Sequence, residues 1–418
     1  MHPTPSPDTI LFASHTTATA ASVAQWVERH YDLPVQQCYL IRRNLNDNYA
    51  VRAADGNRYV ARLCAIRPRG SFNVDFELAL LAHLESQGVG VASPVLAANG
   101  ATSVNLPFPE GPRVLVLFRH CEGAVPDTPE DLHLTGATLA QIHSAAQSYT
   151  GPASLYVLDG HHLAGRTLDY LAAHPELAPS VLDVYRELTH RLLGELAEVE
   201  GTLTRVMCHG DTHGFNNHVY TDAEGVRRAA FFDFDDAGPG FLAYDLCVWL
   251  WSNLPRKAPM EPDEALLHRW QQYLAGYSAG GGHVTDADLA ALPLFVQLRH
   301  LWNMGEGVAR IHHWGANMMS ADWIKKQPEV MAAWARLDLP DDGACSGPCG
   351  LRRHPGSGHM TRGCGVRQLL RIAGVLLQAV RHRDKGHAQH KKQRGGYGPG
   401  DGEHKVLEVG VHGGSCSG

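Results

Sequence analysis

Two loops decide the fold of this chain: VMCHGDTHGFNN at residues 206–217 and FFDFDDAG at residues 231–238. The first follows a short apolar run and places Asp211 five residues before Asn216. The second places Asp233 at the end of another β-prone run. A turn at residues 222–225 joins two short strands between these loops. The pattern therefore predicts that one small β-hairpin brings the three side chains together.

These three side chains suit one kind of chemistry. Phosphoryl transfer to a hydroxyl needs a carboxylate that accepts the hydroxyl proton. It also needs a carboxylate and an amide oxygen that hold Mg²⁺ on the phosphates of ATP. We therefore predict an ATP- and Mg²⁺-dependent kinase, with Asp211 as the catalytic base and Asn216 and Asp233 as the metal ligands.

The two loops also carry a family resemblance, which covers roughly residues 20–340. The arrangement resembles the aminoglycoside phosphotransferase and choline kinase-like family, whose catalytic loop reads His-Gly-Asp-x-His-x-x-Asn and whose metal motif reads Asp-Phe-Gly or Asp-x-x. The metal motif of this chain, followed by Tyr244-Asp245-Leu246, is most similar to the branch of stress response kinase A and type II homoserine kinases. The resemblance implies that His209 fixes the loop and that Asp245 anchors it from within. The other supporting residues are His213, Asp235 and Asp236.

The resemblance further implies a nucleotide site in the first part of the chain. It calls for a cation on the third strand and a carboxylate on the next helix, and Arg62 and Glu77 stand at these places. The chain has no Lys before Lys257, so an arginine would have to bind the phosphates, which a guanidinium can do bidentately. An Asn-rich turn replaces a glycine-rich loop, and adenine is predicted to bind backbone groups after the fifth strand. These nucleotide contacts are predicted at Asn46, Asn48, Phe118 and Cys121.

The order of predicted elements indicates an α+β, bilobal protein-kinase-like fold. Asp55-Gly56-Asn57 predicts a hairpin turn, a helix is predicted near 72–87, and β-prone segments follow. After residue 123 the pattern becomes helical, starting at the capping sequence Thr128-Pro129-Glu130-Asp131. We predict an ATP-binding lobe with a small antiparallel sheet at residues 1–120, and a mainly helical catalytic and substrate lobe at residues 121–340.

Composition separates the last part of the chain from the rest. Residues 341–418 hold 18 of the 43 glycines, with 12 basic and 6 acidic residues. We predict that this tail is disordered or out of frame. Subtracting its charges leaves 24 basic and 37 acidic residues in 1–340, a net charge of −13. This acidic body argues against a nucleic-acid partner and favours a cationic acceptor.

The remaining bulk properties favour a cytoplasmic protein. No apolar segment approaches the roughly 18 residues that span a bilayer, so no membrane association is predicted. The nine cysteines have no paired spacing, which favours free thiols. The sequence carries no signal for an oligomeric state. The predicted partner is a small-molecule hydroxyl acceptor that bears an amine, such as an amino alcohol, amino acid or aminoglycoside.

Several alternatives stand beside this interpretation. A protein Ser/Thr acceptor would suit the same chemistry, and the absent glycine-rich loop would suit a catalytically silent nucleotide-binding module. His209, Asp211 and His213 alternate as metallohydrolase ligands could. Asp233-x-Asp235 matches the nucleophile motif of haloacid dehalogenase-type phosphatases. The polar and aromatic stretch 296–335 is either a wall of the acceptor pocket or a packed helix pair.

Overall fold

The computed structural model describes residues 13–43, 45–65 and 73–340. The predicted tail and Asn44 of the Asn-rich turn therefore lie outside the described residues. The first part of the described chain forms a five-stranded antiparallel sheet in the order β1-β2-β3-β5-β4. Its elements are α1 (Ala20–Tyr31), β1 (Val35–Arg43), β2 (Asn46–Ala53), β3 (Arg58–Cys64), α2 (Val74–Ser86), β4 (Val104–Leu106) and β5 (Arg113–Arg119).

The two faces of this sheet pack on different cores. Successive strand residues point to opposite faces. Thus Leu115 and Leu117 of β5 pack with α1, whereas Val116 and Phe118 join α2 and the helical part of the chain. The predicted turn is present, since Gly56 has φ +88° and the amide of Ala53 donates to the carbonyl of Asn57. Strand β4 was not predicted.

The rest of the described chain is mainly helical. It contains a π-helical turn (His161–Gly165), short 3-10 turns at Glu200–Thr202 and Ala316–Met319, and the helices α3 (Pro129–Ala146), α4 (Arg166–Ala172), α5 (Pro179–Val199), α6 (Leu242–Asn253), α7 (Glu264–Ala279), α8 (Asp286–Val308), α9 (Ile311–Trp314) and α10 (Ala321–Trp334). The predicted cap of α3 is present, because Thr128 and Asp131 exchange side-chain to backbone hydrogen bonds. The α+β kinase-like fold class is confirmed, whereas the division between residues 120 and 121 stays a prediction.

Helices α3 and α7 cross without room for side chains between them. A Cβ atom at Gly136 would collide with the carbonyl oxygen of Tyr273, and one at Gly276 would collide with that of His133. Both helices therefore need glycine at the crossing. The contact fixes α3, which lies under the small strands that carry the predicted site.

The predicted hairpin is only part of what those strands form. β7 (Asn217–Thr221) and β8 (Arg227–Phe231) make the hairpin, but β6 (Arg205–Cys208) pairs with β9 (Gly238–Phe241) in a separate ladder. Asp233 lies beyond the end of β8, not within it as predicted. Two ladders, and the loops between them, therefore bring the predicted residues together.

Two further expectations concern membranes and thiols. Among the described helices, none is long and apolar enough to cross a membrane. The five cysteines in the described ranges are free, and Cys64, Cys208 and Cys247 are buried. Burial raises the pKa of the Cys64 thiol to about 11, so that thiol is un-ionised at neutral pH.

Candidate active site

One buried carboxylate binds the backbone of the loop that follows β6. Asp245, in the first turn of α6, accepts hydrogen bonds from the backbone amides of His209 and Gly210, each at 2.8 Å. His143 of α3 contacts the same carboxylate through Nε2, at 2.9 Å. Gly210 has φ +86°, and a Cβ there would collide with the carbonyl oxygen of Asp236. Asp245, the predicted anchor, thus fixes the loop backbone at Gly210, where no other side chain would fit.

His209 is also held inside the loop. Its Nε2 donates to the carbonyl oxygen of Phe232 at 3.1 Å, and its Nδ1 accepts from the amide of Asp211 at 3.2 Å. Burial lowers the pKa of His209 although Asp245 and Asp211 oppose this shift. A neutral ring with both nitrogens bonded ties the two predicted loops together, as expected for a loop-fixing residue.

Asp211 lies at the centre of the candidate site. The side-chain nitrogen Nδ2 of Asn216 donates to the Asp211 carboxylate at 3.0 Å and to the backbone carbonyl oxygen of Asp211 at 2.9 Å. His213 Nε2 lies 3.4 Å from the carboxylate. The guanidinium of Arg299, from α8, donates to the other carboxylate oxygen. The structure therefore brings together three residues from the predicted loop and one from a distant helix.

The charge state of Asp211 follows from these neighbours. Burial opposes ionisation, yet His213 and then Arg299 outweigh it and hold the pKa of the Asp211 carboxyl well below its usual range. The side chain is 17% exposed, so a ligand can reach it from solvent. Asp211 is therefore an ionised acceptor that can take a hydrogen bond from a hydroxyl.

Arg299 was predicted only as part of stretch 296–335, a possible wall of the acceptor pocket, and not as a partner of Asp211. Besides Asp211, it donates to the carbonyl oxygen of Gly210 at 3.1 Å and to the Tyr244 hydroxyl at 3.0 Å. Its guanidinium also lies 4.4 Å from the ring centre of Trp302. A sequence signal existed, because Arg299, Trp302 and Glu306 recur at helical spacing along one face of α8. That spacing alone does not say which loop the face meets.

Arg62 and Glu77 form the ion pair that the sequence suggested. Arg62 Nη1 donates to Glu77 Oε1 at 2.9 Å, and Nη2 donates to Glu77 Oε2. Arg62 Nη1 also lies 3.4 Å from a carboxylate oxygen of Asp233. The guanidinium is 4.9 Å from the ring centre of Phe118. The cation of β3, the carboxylate of α2 and the predicted metal ligand thus meet at one place.

Asp233 stands in a group of carboxylates. The Asp233 side chain is 39% exposed, and its partial burial, and next the neighbouring Asp235, raise the pKa of Asp233, while Arg62 opposes this shift. Asp235 accepts a hydrogen bond from the side-chain nitrogen Nδ2 of Asn46 at 2.8 Å. Asp236 is buried. Asn46 also accepts from the amide of Ala65 at 3.1 Å. The predicted Asn46 therefore joins the β1–β2 hairpin to the carboxylate loop.

This group of carboxylates fits a divalent cation that phosphates help to hold. In the described ranges, no three or more His, Cys, Asp or Glu side chains are spaced to bind a metal by themselves. Mg²⁺ in kinases takes one or two protein carboxylates and completes its shell with phosphates and water. Asp233 offers such a carboxylate, and a bound cation would offset the repulsion between it and Asp235.

The predicted adenine region is already partly engaged within the protein. The carbonyl oxygen of Cys121 accepts from Nδ1 of His218 at 3.0 Å. The amide of Arg119 donates to the carbonyl oxygen of Ser93, and the amide of His120 donates to that of Arg58. Asn48 lies opposite Arg62 in the β2–β3 register. Sequence reasoning missed His218, whose position in β7 gave no sign that it faces this region.

Polar and aromatic side chains extend from Arg299 along the α8 face. Trp302 Nε1 donates to His162 at 3.1 Å, and Arg166 donates to Glu306 at 2.7 Å. Arg310 pairs with the other oxygen of Glu306 at 2.8 Å. Stretch 296–335 therefore contains a packed helix, α8, that also contacts Asp211 through Arg299. The two interpretations of this stretch, a packed helix pair and a pocket wall, do not exclude each other.

Comparisons with known proteins agree with this geometry. The Phosphotransferase enzyme family matches residues 40–283, so the chain belongs to this family and is a phosphotransferase enzyme. An uncharacterized protein of Deinococcus radiodurans is 35% identical over 327 residues, covering 77% of this chain and 92% of that protein.

Two named kinases are also similar. A homoserine kinase of Ralstonia nicotianae is 26% identical over 251 residues, covering 56% of this chain and 70% of the kinase. The solved structure of a microcompartment-associated aminopropanol kinase has a TM-score of 0.57 and 26% identity, covering 76% of this chain and 100% of its own. The predicted family is therefore confirmed, and the class of small-molecule kinases with it.

Proposed function

We propose that the chain transfers the γ-phosphoryl group of ATP to a hydroxyl of a small, amine-bearing molecule. The observation that carries this proposal is the convergence at Asp211. Its ionised carboxylate is oriented by Asn216 and Arg299. It also lies near enough to Asp233, which Arg62 contacts, to raise the pKa of Asp233. Asp211 is positioned as the base that accepts the hydroxyl proton in an in-line transfer.

The other predicted residues would bind the metal ion, the phosphates and the nucleotide, or support the loops. Asp233 and Asn216 would hold Mg²⁺, which when bound neutralises charge on the phosphates. Arg62, fixed by Glu77, would bind the phosphates in place of the usual lysine. Asn46, Asn48, Phe118 and Cys121 would border the nucleotide, and His209, His213, Asp235, Asp236 and Asp245 would support the loops.

The acceptor class rests on charge and on the named relatives. The acidic body, with Asp235 beside the site, favours a cationic acceptor. An aminopropanol kinase and a homoserine kinase are both named for amine-bearing acceptors. The same proposal includes a cytoplasmic location and no nucleic-acid partner. It also includes a division near residue 120 between an ATP-binding lobe and a substrate lobe.

The test is Mg²⁺-dependent ATP consumption against amino alcohols, hydroxy amino acids, aminoglycosides and protein substrates. Asp211→Asn should lower kcat by about 10²- to 10⁴-fold and leave ATP binding nearly unchanged, because Asp211 meets the acceptor hydroxyl. The matched control is Asp183→Asn, at an exposed helical ion pair. Wild-type kcat in Asp211→Asn would reject the base, and binding of Mg·ATP without any turnover would favour a silent module.

A further inference from the structure

Helix α2 begins with an asparagine that does not cap its own helix. Asn73 is the N-cap residue of α2, and asparagine is among the residues preferred there because its side chain can accept from the first helix amides. No amide of α2 donates to this side chain. The residue is nevertheless buried, with 5% exposed. Its side chain therefore binds another part of the molecule.

The amide group of Asn73 binds two other segments of the chain. Nδ2 donates to the backbone carbonyl oxygen of Ala237 at 3.1 Å and to Oγ of Ser154 at 3.0 Å. Oδ1 accepts from the backbone amide of Leu155 at 2.9 Å. Because Leu155 offers a donor and Ala237 an acceptor, these partners fix the orientation of the amide group. Both ends of the side chain are thus used outside α2.

The carbonyl oxygen of Ala237 lies in a closely packed junction. Ser154 Oγ also donates to it, at 3.0 Å, so that both of its lone pairs are used. The next residue is Gly238, where a Cβ atom would lie 2.5 Å from the carbonyl oxygen of Tyr156 and 2.9 Å from Ser154 Oγ. This close approach fixes residues 154–156 against the turn that precedes β9.

That turn also carries the predicted metal ligand. The amide of Ala237 donates to the carbonyl oxygen of Phe234 at 2.9 Å, and Phe234 follows Asp233 directly in the sequence. On the other side, the amide of Glu77 donates to the carbonyl oxygen of Asn73 at 3.0 Å, so Glu77 lies one helical turn further along α2. Asn73 therefore joins the turn of Asp233 to the helix that carries Glu77.

These contacts form a closed ring around the Arg62 guanidinium. Arg62 donates to both carboxylate oxygens of Glu77 and lies 3.4 Å from Asp233. The bond from Asn73 to Ala237 connects the helix of Glu77 to the turn of Asp233. The side chains of Arg62 and Glu77 are only 4% and 1% exposed. A shift of α2 would move this buried ion pair relative to Asp233, and the bonds of Asn73 oppose such a shift.

We propose that Asn73 is a positioning residue for the nucleotide phosphates. It holds the start of α2 on the turn of Asp233, so that Glu77 keeps Arg62 where the phosphates and the metal ion would bind. This inference rests on the proposed function, in which Arg62 binds the phosphates of ATP. It adds a residue that acts on ATP binding through α2 and not by direct contact.

The experiment measures calorimetric binding of Mg²⁺ with a non-hydrolysable ATP analogue to the full chain. Asn73→Ser keeps a neutral residue that is preferred at an N-cap, but its side chain is too short to make the three bonds. We expect its Kd to rise about 3- to 30-fold, as for mutations that act through packed elements. The control is Thr19→Ala, at the N-cap of α1, where the side chain does bind its own helix. That variant should lose stability and keep the original Kd.

A double-mutant cycle tests whether Asn73 acts through Glu77. Glu77→Gln should itself weaken binding, because Arg62 loses its anionic partner. If Asn73 acts through Glu77, adding Asn73→Ser to Glu77→Gln should weaken binding no further. In steady-state kinetics, Asn73→Ser should raise KM for ATP and leave KM for the acceptor unchanged.

The outcomes separate this inference from the proposed function. An unchanged Kd in Asn73→Ser, with weaker binding in Glu77→Gln, would overturn the inference alone. Additive losses in the double variant would also overturn it, because Asn73 would then act independently of Glu77. Unchanged binding in Glu77→Gln would instead overturn the phosphate role of Arg62, and this inference with it.

A measurement without ligand keeps the test decisive if Glu77→Gln does not fold. Amide hydrogen exchange at residues 74–77 reports how firmly the first turn of α2 is held. It should be faster in Asn73→Ser than in the unchanged protein, because the bonds to Ala237 and Leu155 are lost. Equal exchange rates would show that Asn73 does not hold α2 and would overturn the inference.

Discussion

Arg299 decides how Asp211 is presented to a ligand. It reaches the Asp211 carboxylate from α8 and at the same time holds the carbonyl oxygen of Gly210 and the Tyr244 hydroxyl. One buried guanidinium thus fixes both the backbone and the side chain of the loop. Trp251 and Trp302 flank it, with ring centres 5.0 and 4.4 Å away. Such a residue acts on the reaction by positioning another group.

We expect Arg299→Met to lower kcat by about tenfold or more, because Asp211 loses a charge-assisted hydrogen bond that orients it. KM for ATP should change little, since Arg299 does not contact the residues proposed for the nucleotide. Steady-state kinetics would measure the split between kcat and KM, with thermal unfolding as a check on the fold. Arg299→Lys should recover part of the rate. Equal loss in both variants, with a lower Tm, would indicate a structural role instead.

The site residues show what sequence could and could not give. Asp211, Asn216 and Asp233 could be proposed from the sequence because phosphoryl transfer restricts the residue types and because they follow predicted strands closely, and their roles stay predictions. Arg62 and Glu77 were placed by the resemblance, and the structure pairs them. Arg299 and His218 come from elements far away in the chain. Their contacts depend on how helices and strands pack, which local pattern does not determine.

Among the elements, the crossing of α3 and α7 is the most sensitive to a small change. We expect Gly136→Ala to lower the free energy of unfolding by about 1–3 kcal/mol, because its Cβ would push against the backbone of Tyr273. Urea unfolding would measure this. Gly194→Ala in α5 is the matched control, since nothing lies within 4 Å of its Cβ position. That variant should be neutral or gain up to about 1 kcal/mol from helix propensity. Equal effects in both helices would contradict the close crossing.

We expect His300, at the contact between α8 and α10, to make the stability of the protein depend on pH. Burial lowers the pKa of His300 to about 3, from a usual value of 6.5. Below pH 6.5 the unfolded chain takes up a proton at this ring, whereas the folded chain does so only near pH 3. Stability should therefore fall with falling pH across this range, by about 1.4 kcal/mol per pH unit for one proton.

His300→Gln tests this expectation, because glutamine can replace the hydrogen bonds to Trp251 and Gln327 but does not titrate. Urea unfolding between pH 7 and pH 4 should show a shallower loss of stability for the variant, so that the two proteins differ more at pH 4 than at neutral pH. Parallel curves would show that this ring is not the group involved.

Elements were predicted well where the signal was local. The turn at Asp55-Gly56-Asn57 and the cap at Thr128 depend on neighbouring residues alone, and both are present. β4 has only three residues, too few for a period to be seen. The pairing of β6 with β9 joins residues about thirty positions apart. A prediction from short-range turn signals therefore gave one hairpin where two ladders exist.

At the scale of the whole molecule, the sheet and the helical part meet across charged groups. Arg62 of β3 contacts Asp233, and Asn46 of β2 contacts Asp235. A ligand that binds Arg62 and Asp233 together would hold these parts in one arrangement. The stability of the whole protein should then respond to nucleotide and metal jointly.

We expect saturating Mg·ATP to raise the free energy of unfolding by about 2.7 kcal/mol at one hundred times its Kd. Removal of Mg²⁺ with a chelator should abolish most of this gain, because ATP then meets the Asp233 group without a bridging cation. Thermal unfolding with and without metal would measure the effect. The same gain with ATP alone would contradict the proposed metal ligands, whereas Asp233→Asn should remove the dependence on Mg²⁺.

Asp233 has a backbone conformation that few residues tolerate, with φ +68°. A residue other than glycine is held there at a cost of about 1–3 kcal/mol, and its carboxylate also stands among others. Glycine would relax both. Glycine at position 233 would therefore give a more stable fold but could not bind a metal ion. Mutations that are selected only for stability are expected to abolish the activity at this position first.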